Sequence, residues 1–353
     1  MVGIVQWCKG MAPVIGILTA RKKDGSIAGN VPLFIELQKK LISLNGISFI
    51  FTIDGVHDHT IEGFTYIPDK DLWERITAPY PDLVYNRIPF RKAEEEIKST
   101  AFFSCLRDKN IPFFNPGFID KYELYQLFKN HPILHSYMPV TITAIDKQKL
   151  SSFLTKFQSI YLKPAQSARG NGIFKLVLDT HKKVHFKGLT TSEEFLTFNH
   201  FWFEWENKLR QKNYIAQEEI KSSLYDGKRF DFRILAHAEN DHFIVTGVGI
   251  RQSQIQQITT HIPTGGRLLP YDLVQTVDHD LFIHTIVEQI GEALSEKLGF
   301  FGEFSIDAGV SQSGQYYIYE VNSKPMSFDE SEIEERKIDH LCQLFQQLTG
   351  NKT

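Results

Sequence analysis

Two short runs of alternating apolar and polar residues near the C-terminal end constrain the fold most strongly. The runs are Phe304–Ala308 and Tyr317–Asn322, and a polar turn containing glycine separates them. This pattern predicts two paired strands. Residues two positions apart lie on one face of a strand, so Glu320 and Asn322 share a face. Pairing of the strands would bring Asp307 to the same place.

These three side chains form a candidate metal site. Two carboxylates and one carboxamide oxygen are an all-oxygen set that suits Mg²⁺ carrying nucleotide phosphates. The alternative is that Asp307, Glu320 and Asn322 are only the solvated polar face of a hairpin, where acidic residues are common. Other parts of the chain favour the metal site.

The bulk properties exclude several classes of protein. The chain has 353 residues, which is too long for one small core, so we expect two or three subdomains. A formal net charge of −3 provides no basic surface for nucleic acid. Cys8, Cys105 and Cys342 are far apart and form no metal-spaced pair, which indicates a reducing compartment. With no signal-peptide pattern or membrane span, we expect a cytoplasmic protein that binds neither nucleic acid nor membrane.

Alternating strands and a helix indicate an open α/β domain over residues 1–114. The apolar run Pro13–Ala20 predicts a buried strand, and Pro32 opens an amphipathic helix that extends to Leu44. Further strands are predicted at residues 47–51 and 82–87. This strand–helix–strand order is typical of an open α/β sheet.

Two further units are predicted, a central lobe over residues 115–216 and a C-terminal lobe over residues 217–353. In the central lobe we expect a helix over residues 121–130 and strands over residues 159–164 and 173–178. In the C-terminal lobe, the predicted elements are strands over residues 230–239 and 243–252, a helix over about 280–298 and a terminal helix over 330–348.

The loop from Ser167 to Gly172 has the composition of a phosphate cover. Its small residues let backbone N–H groups approach oxygen atoms, and Lys163 at the end of the preceding strand supplies a positive charge. The pattern is not a Walker motif, so the loop is not a P-loop. The alternative is a glycine-containing hairpin turn with a structural role only.

Lys121 stands at the start of a predicted helix, where the helix dipole does not favour a cation. This placement suggests an anion nearby, and the alternative is a solvated lysine. The strand end Gln217–Ile220 could offer backbone groups to an adenine edge, although two acids after a strand are also typical of a charged turn.

Several charged residues lie on or beside the predicted strands of the C-terminal lobe. Asp231 and Arg233 share one face of a strand, so an ordinary cross-strand pair is one explanation. Arg251 and Arg267 are candidates for contact with a phosphate or carboxylate, and Arg267 follows a Thr-Gly-Gly loop that would let its guanidinium move to such a group. The histidines have no metal-like spacing.

The order of these features resembles the ATP-grasp superfamily over about residues 115–328. The shared pattern is a lysine at a helix start, a lysine-ended strand with a small-residue loop, an adenine-binding strand end and a final Asp…Glu-x-Asn metal set. Within that superfamily the chain resembles the YheC/YheD endospore-coat-associated family of spore-forming bacteria. The segments that carry this closer resemblance are GILTAR, YNRIP, NPG…DKYELYQ, YLKPAQSARGNGI, FDFRILAH and EVNSKP.

The resemblance implies an ATP-grasp fold of class α/β (α+β), in which an N-terminal open α/β domain precedes two lobes with ATP between them. It also implies ATP and Mg²⁺ as cofactors, with Asp307, Glu320 and Asn322 as ligands of one or two Mg²⁺ ions. The residues implied to contact ATP are Lys121, Lys163, Ser167, Arg169, Gly170, Gly172, Gln217, Glu218, Ile220 and Asp231.

The superfamily reaction implied is activation of a carboxylate as an acyl phosphate, which an amine or thiol then attacks, with Arg251 and Arg267 steadying the phosphoryl group. The partners would be ATP and an unidentified carboxylate or amine, either a small molecule or a peptide, and association with the spore coat follows from the family. Asn30, Arg87 and Arg91 are candidates for the acceptor side. The alternatives are a nucleotide-binding spore coat protein without turnover and a kinase-like phosphoryl transferase.

One segment departs from the superfamily pattern. After Glu-x-Asn, many relatives have a small residue, Pro and Gly, whereas this chain has Ser323-Lys324-Pro325-Met326. The corresponding loop often faces the acceptor, so the departure argues against transferring the substrate of the peptide-forming ligases to this chain.

Overall fold

The structure is a computed structural model that describes residues 12–166, 172–254 and 265–350. Over these residues the chain forms three β-sheets with α-helices that cover or connect them. The strands are β1 (Val14–Thr19), β2 (Ile47–Val56), β3 (Thr60–Ile67), β4 (Leu72–Pro79), β5 (Leu83–Asn86), β6 (Phe113–Phe114), β7 (Thr141–Thr143), β8 (Ser159–Pro164), β9 (Phe174–Leu178), β10 (Val184–Lys187), β11 (Ser192–Phe195), β12 (Tyr214–Glu218), β13 (Leu224–Tyr225), β14 (Lys228–Glu239), β15 (His242–Gln252), β16 (Arg267–Leu269), β17 (Glu303–Val310) and β18 (Tyr316–Asn322). The α-helices are α1 (Val31–Ser43), α2 (Arg91–Glu94), α3 (Ile97–Asp108), α4 (Lys121–Lys129), α5 (Lys147–Phe157), α6 (Phe198–Gln211), α7 (Val277–Leu298) and α8 (Ser331–Thr349).

The first sheet has the strand order β4-β3-β2-β1-β5-β6. Strands β1, β2, β5 and β6 are parallel, and the β3–β4 hairpin extends one edge in antiparallel pairing. Helix α1 begins after Asn30, whose side chain accepts a hydrogen bond from the amide of Leu33. It packs on one face of the sheet, and α3 packs on the other. The open α/β architecture predicted for the N-terminal part is therefore confirmed.

The second sheet is antiparallel throughout, with the order β11-β10-β9-β8-β12-β7. Helices α5 and α6 cover one face, and their buried residues include Leu154, Phe201 and Trp205. Strand β12 runs across residue 216, where the sequence predicted a boundary between lobes. Gln217 and Glu218 therefore belong to the second sheet.

The third sheet has the order β16-β15-β14-β17-β18, with β13 paired to β14 outside this path. Helix α7 packs against one face, where Ile286 and Ile290 are buried among strand residues such as Ile306. The opposite face carries the polar residues of the candidate site. None of the helices that the structure describes is both long and apolar enough to cross a membrane.

Two helices join the sheets. Helix α4 comes between the first and second sheets in the chain, but its Leu124 and Phe128 are buried in the core of the third sheet. Helix α8 follows the third sheet, and its Leu341 and Phe345 pack against α1 and β1 of the first sheet. The first domain and the third sheet therefore share a continuous apolar contact.

A buried ionic cluster reinforces the contact between the first domain and the third sheet. Glu303, at the start of β17, accepts hydrogen bonds from the hydroxyl of Tyr85 and from Nη1 of Arg87 at 2.6 Å. His237 on β14 and Lys337 on α8 lie beside it, and both are fully buried. Burial alone would raise the pKa of Glu303, but the positive charges of Arg87 and Lys337 hold that pKa below its ordinary value.

The state of His237 leads to a prediction about acid stability. Burial lowers the pKa of His237 from 6.5 to about 3. In the unfolded chain the imidazole takes up its proton near pH 6.5, so between pH 6.5 and 3 the unfolded state binds more protons than the folded state. As the pH falls through that window, we expect this group to lower the free energy of unfolding by about 1.4 kcal/mol per pH unit.

The measurement is the free energy of unfolding from urea titrations between pH 7 and 4. His237→Gln keeps a polar group beside Thr246, whose Oγ1 lies 2.7 Å from Nδ1 of His237, and it should have a shallower pH dependence than the wild type. His59→Gln, at an exposed histidine, is the control and should retain the wild-type slope. Equal slopes for all three proteins would contradict the prediction.

Candidate functional site

The acidic residues of the C-terminal strand pair lie on one face of the third sheet. Asp307 on β17 is the register partner of Glu320 on β18, and Ser305 is the partner of Asn322. Residues opposite each other in an antiparallel pair project to the same side. Asp307, Glu320 and Asn322 therefore share the face opposite α7, as the sequence predicted, and all three are partly exposed.

A β-bulge decides the direction of Glu320. The register shifts after Asp307, so that Ala308 faces Ile318 and Tyr319 is the additional residue. In a regular strand Ile318 and Glu320 would point to the same side. The bulge separates them, and Ile318 is fully buried in the core while Glu320 lies on the polar face.

Lys121 comes to this face from helix α4. Asp120 caps the helix, because its carboxylate accepts a hydrogen bond from the amide of Tyr122 at 2.8 Å. The amide of Lys121 donates to the carbonyl of Ala165, just beyond β8, at 3.1 Å. Its ammonium lies 2.8 Å from Oε1 of Glu320. The helix start, the end of β8 and the acidic strand pair therefore meet.

Lys163 reaches the same place from the end of β8. Its ammonium donates to Oε1 of Gln217 at 2.6 Å, and Nε2 of Gln217 donates to Oγ1 of Thr141 at 3.1 Å. Gln217 thus orients the lysine. Burial lowers the pKa of Lys163 to about 8, against the opposing effect of the negative charge of Glu320.

The other charged groups close to Lys163 are those predicted for the site. The positive charge of Lys121 also lowers the pKa of Lys163, whereas Asp231 and Asp307 raise it. The two contacts of Lys121, with Ala165 just beyond β8 and with Glu320 on β18, bring the end of β8 beside the acidic face of the third sheet.

The loop after β8 lies largely outside the described residues, and this includes Ser167, Arg169 and Gly170. Gly172, where the description resumes, has a φ of +76°. A Cβ at this position would lie 3.0 Å from Cγ of Pro164 and 3.0 Å from the hydroxyl of Tyr214. The backbone conformation and the close approach both require glycine.

The strand end predicted to bind adenine is the end of β12. The amide of Glu218 donates to the carbonyl of Val140 at 3.0 Å, and the Glu218 carboxylate accepts from the amide of Val140 at 2.8 Å. Glu219 forms an ion pair with Lys175 at 2.5 Å. Ile220 lies two residues beyond the end of the strand.

The two arginines predicted to be catalytic lie in different environments. Arg251 is the register partner of Asp231 and is buried, and its Nε has no hydrogen-bond partner among the described residues. Arg267 is exposed and is the register partner of Gln252, the neighbour of Arg251 in the chain. Because adjacent strand residues face opposite sides, Arg251 shares the face of the acids and Arg267 does not.

The residues proposed for the acceptor side have internal contacts. Arg87 is bound to Glu303, and Arg91 donates to the carbonyl of Ile119 at 2.9 Å. Asn30 caps α1 and also donates from Nδ2 to Oγ of Ser327 at 2.8 Å. The sequence did not predict these contacts within the protein. Its only indication of them was the unusual lysine after Glu-x-Asn, which is Lys324.

The donor set fits a hard divalent cation. In the described part of the chain no group of three or more His, Cys, Asp and Glu side chains forms a metal site. The candidate set instead has two carboxylates on adjacent strands and one carboxamide, which are oxygen ligands that Mg²⁺ prefers. In the free protein the ammonium of Lys121 neutralises the carboxylate of Glu320. A bound metal cation would take the place of this ammonium.

Comparison with known proteins identifies the family. A family model described as "YheC/D like ATP-grasp" matches residues 110–347, which is well over half of the chain. The chain belongs to the YheC/D-like ATP-grasp family. This confirms the ATP-grasp fold and the family that the sequence motifs indicated.

Individual relatives extend the comparison. The chain is 26% identical over 339 residues to "Endospore coat-associated protein YheD" of Bacillus subtilis (strain 168), and the match covers 89% of this chain and 73% of that protein. D-alanyl-alanine synthetase A from Vibrio cholerae O1 biovar eltor str. N16961 has a similar fold, with a TM-score of 0.57 at 13% identity, over 97% of this chain and 100% of that one. The ATP-grasp ligase PsnB, solved with a minimal precursor, has a TM-score of 0.56 at 13% identity, over 96% of this chain and 99% of that one.

Proposed function

We propose that this YheC/D-like protein is an ATP- and Mg²⁺-dependent ligase that joins a carboxylate to an amine or thiol through an acyl phosphate. The observation that carries the proposal is the contact between Lys121 and Glu320 at 2.8 Å, because it joins a candidate phosphate-binding lysine to a candidate metal ligand. Lys163 stands near the end of β8, two residues before Ala165, whose carbonyl accepts a hydrogen bond from the amide of Lys121. Metal-bound triphosphate requires this combination of cations and acids.

The cofactor site follows from the donor set. Asp307, Glu320 and Asn322 would hold Mg²⁺, which when bound neutralises charge on the phosphates. Lys121 and Lys163 would bind phosphate oxygens, and Gln217 would keep Lys163 directed at them. Because Lys121 pairs with Glu320 in the free protein, it must exchange the carboxylate for phosphate as the cation is bound. We therefore expect metal and nucleotide each to raise the affinity of the protein for the other.

The remaining predicted residues would serve orientation and charge stabilisation. The backbone at Glu218 and Ile220 would contact adenine, and Asp231 would approach the ribose. The loop containing Ser167, Arg169 and Gly170 would cover the phosphates and exclude water.

Arg251, on the face of the acids, would stabilise the transferring phosphoryl group and the acyl phosphate. Arg267 begins β16 and projects from the other face of the sheet, so we assign it no role in the transfer. A carboxylate oxygen attacks the γ-phosphorus and ADP leaves. The amine or thiol then attacks the carbonyl carbon, and inorganic phosphate leaves.

The substrate class is proposed from the structural relatives. One is a D-alanyl-alanine synthetase and another, PsnB, has also been solved with a precursor peptide, so both small molecules and peptides are candidate substrates. The name of the Bacillus subtilis relative supports a proposal that this protein associates with the endospore coat after synthesis in the cytoplasm.

Thermal unfolding with nucleotide tests the proposed site. ATP with Mg²⁺ at about 100 times its Kd adds about 2.7 kcal/mol, so we expect a rise in Tm of about 4 °C. Mg²⁺ alone should give no comparable rise, because the ammonium of Lys121 pairs with the carboxylate of Glu320 in the free protein. Absence of any shift with ATP and Mg²⁺ would exclude both the ligase and a coat protein that binds nucleotide without turnover.

A screen for ADP release with amino acid and peptide pools then tests the reaction. A product whose mass equals a condensation of two substrates supports the ligase. A stable phosphorylated product would instead show a kinase-like transferase, and nucleotide binding without turnover in any pool would favour the coat protein.

A further inference from the structure

The segment Ser323–Ser327 directly follows β18 and its last residue, Asn322. We call this segment the exit loop. Each of its residues accepts or donates a side-chain hydrogen bond that crosses to another part of the chain. These bonds are Asn115 Nδ2 to the Ser323 carbonyl at 2.7 Å, Lys324 Nζ to Glu94 Oε1 at 2.5 Å, Arg87 Nη2 to the Pro325 carbonyl at 2.8 Å, Arg233 Nη2 to the Met326 carbonyl at 3.2 Å and Asn30 Nδ2 to Ser327 Oγ at 2.8 Å.

Lys324 makes the most extensive of these contacts. Its side chain is 4% exposed and that of Glu94 is 8% exposed, so the pair is shielded from water. The ammonium also donates to the carbonyl of Ile88 at 3.0 Å and to Oδ1 of Asn86 at 3.2 Å. All three partners belong to the first domain. A buried ammonium with three acceptors holds its backbone far more firmly than an exposed ion pair does.

Asn115 connects the two strands of the candidate metal site. It is fully buried, and its Oδ1 accepts from the amide of Gly302 at 3.0 Å, next to the first residue of β17. Its Nδ2 donates to the carbonyl of Ser323, next to the last residue of β18. One side chain therefore fixes the entry of the strand that carries Asp307 and the exit of the strand that carries Asn322.

The position of β18 explains why such support is needed. In the described structure β18 pairs with β17 alone and forms an edge of the third sheet. The end of an edge strand pairs with a neighbouring strand on one side only, so backbone hydrogen bonds restrain it less than they restrain a central strand. Contacts with the first domain replace the missing neighbour immediately after Asn322.

We infer that Lys324 is a positioning residue for the metal site. Together with Glu94 it attaches the exit loop to the first domain, and this attachment holds the Asn322 carboxamide beside Asp307 and Glu320. The inference rests on the proposed function, since it assigns a role in binding the cation. The first domain would then support the metal site without supplying a metal ligand.

The test compares two double variants. Lys324→Met with Glu94→Gln removes both charges of the buried pair and leaves no uncompensated charge. Lys40→Met with Asp339→Asn is the matched control, because that exposed pair, at 2.7 Å, also joins the first domain to the C-terminal part but lies on α1 and α8. We measure Mn²⁺ affinity in the presence of a non-hydrolysable ATP analogue, and affinity for the same analogue in EDTA.

We expect the Lys324/Glu94 variant to bind Mn²⁺ about tenfold more weakly, with analogue affinity in EDTA within about twofold of the wild type. The control should match the wild type in both. Unchanged Mn²⁺ affinity would overturn the inference, and so would an equal loss in both measurements, which would indicate general loosening of the fold.

If the double variant does not fold, Lys324→Arg replaces it, with an expected loss of about threefold in Mn²⁺ affinity alone. Unchanged Mn²⁺ affinity in Lys324→Arg would likewise overturn the inference. A wild type that binds no Mn²⁺ with the analogue would instead overturn the proposed function.

Discussion

Glu320→Gln should lower Mg²⁺-dependent ADP release by about 1000-fold, because the substitution removes a charged metal ligand while keeping the shape of the side chain. Glu320 is directly opposite Asp307 and on the same face as Asn322, so no other carboxylate of the set can move into its place without breaking the strand pair. The fold should persist, since the pair of Glu320 with Lys121 is partly exposed. Steady-state ADP release over a range of Mg²⁺ concentrations is the measurement.

Glu335→Gln, at an exposed residue of α8 that is not among the site residues, removes the same charge and should release ADP at the wild-type rate. Raising Mg²⁺ should not restore Glu320→Gln. Turnover within a few fold of the wild type at ordinary Mg²⁺ would show that Glu320 is not a metal ligand, and the proposed site would have to be abandoned.

Lys163→Met should weaken ATP binding by about 100-fold, measured by calorimetry in EDTA so that metal does not contribute. The ammonium is held at 2.6 Å by Gln217, and Lys121 is the second candidate for phosphate binding. The substitution should not destabilise the free protein strongly, because burial opposes the charged form of this lysine. Lys149→Met, at an exposed lysine on α5, is the control and should bind ATP normally.

The same lysine predicts how ATP binding depends on pH. Its pKa is lowered to about 8 in the free protein, and the triphosphate favours the charged form. ATP binding therefore takes up a proton above pH 8, and the Kd in EDTA should rise by up to about tenfold per pH unit there. Below pH 8 this contribution should be constant. If Lys163→Met keeps the wild-type pH profile, Lys163 is not the group that binds phosphate.

Several predictions from the sequence succeeded because local patterns were decisive. The helix predicted from Pro32 to Leu44 is α1, whose start follows from the cap at Asn30 and the proline in the first turn. The strands predicted near Asp307 and Glu320 are β17 and β18, and their pairing follows from alternation and a short turn. The helix start at Lys121 agrees with the cap at Asp120.

Other elements were missed because their patterns are ambiguous. Helix α6 is rich in aromatic residues, such as Phe201, Trp202 and Trp205, which have no strong helix preference. The β3–β4 hairpin mixes charged residues into its alternation and extends an otherwise parallel sheet. The division at residue 216 cuts β12, because a sequence does not show which sheet a strand joins.

The sequence by itself indicated the family and the candidate site: two lysines, two acids and one asparagine in the order of an ATP-grasp site, on elements whose type is set by local preference. Only the tertiary structure decided that Lys121 contacts the face that Asp307, Glu320 and Asn322 share. The bulge at Tyr319 turns Glu320 away from the core, and α4 brings Lys121 to it. The tertiary structure also decided that Lys324 points into the first domain, where it contacts Ile88 and Glu94, and not towards the candidate site. The reason is physical: side-chain type and local periodicity act over a few residues, whereas strand register and domain contacts depend on residues hundreds of positions apart.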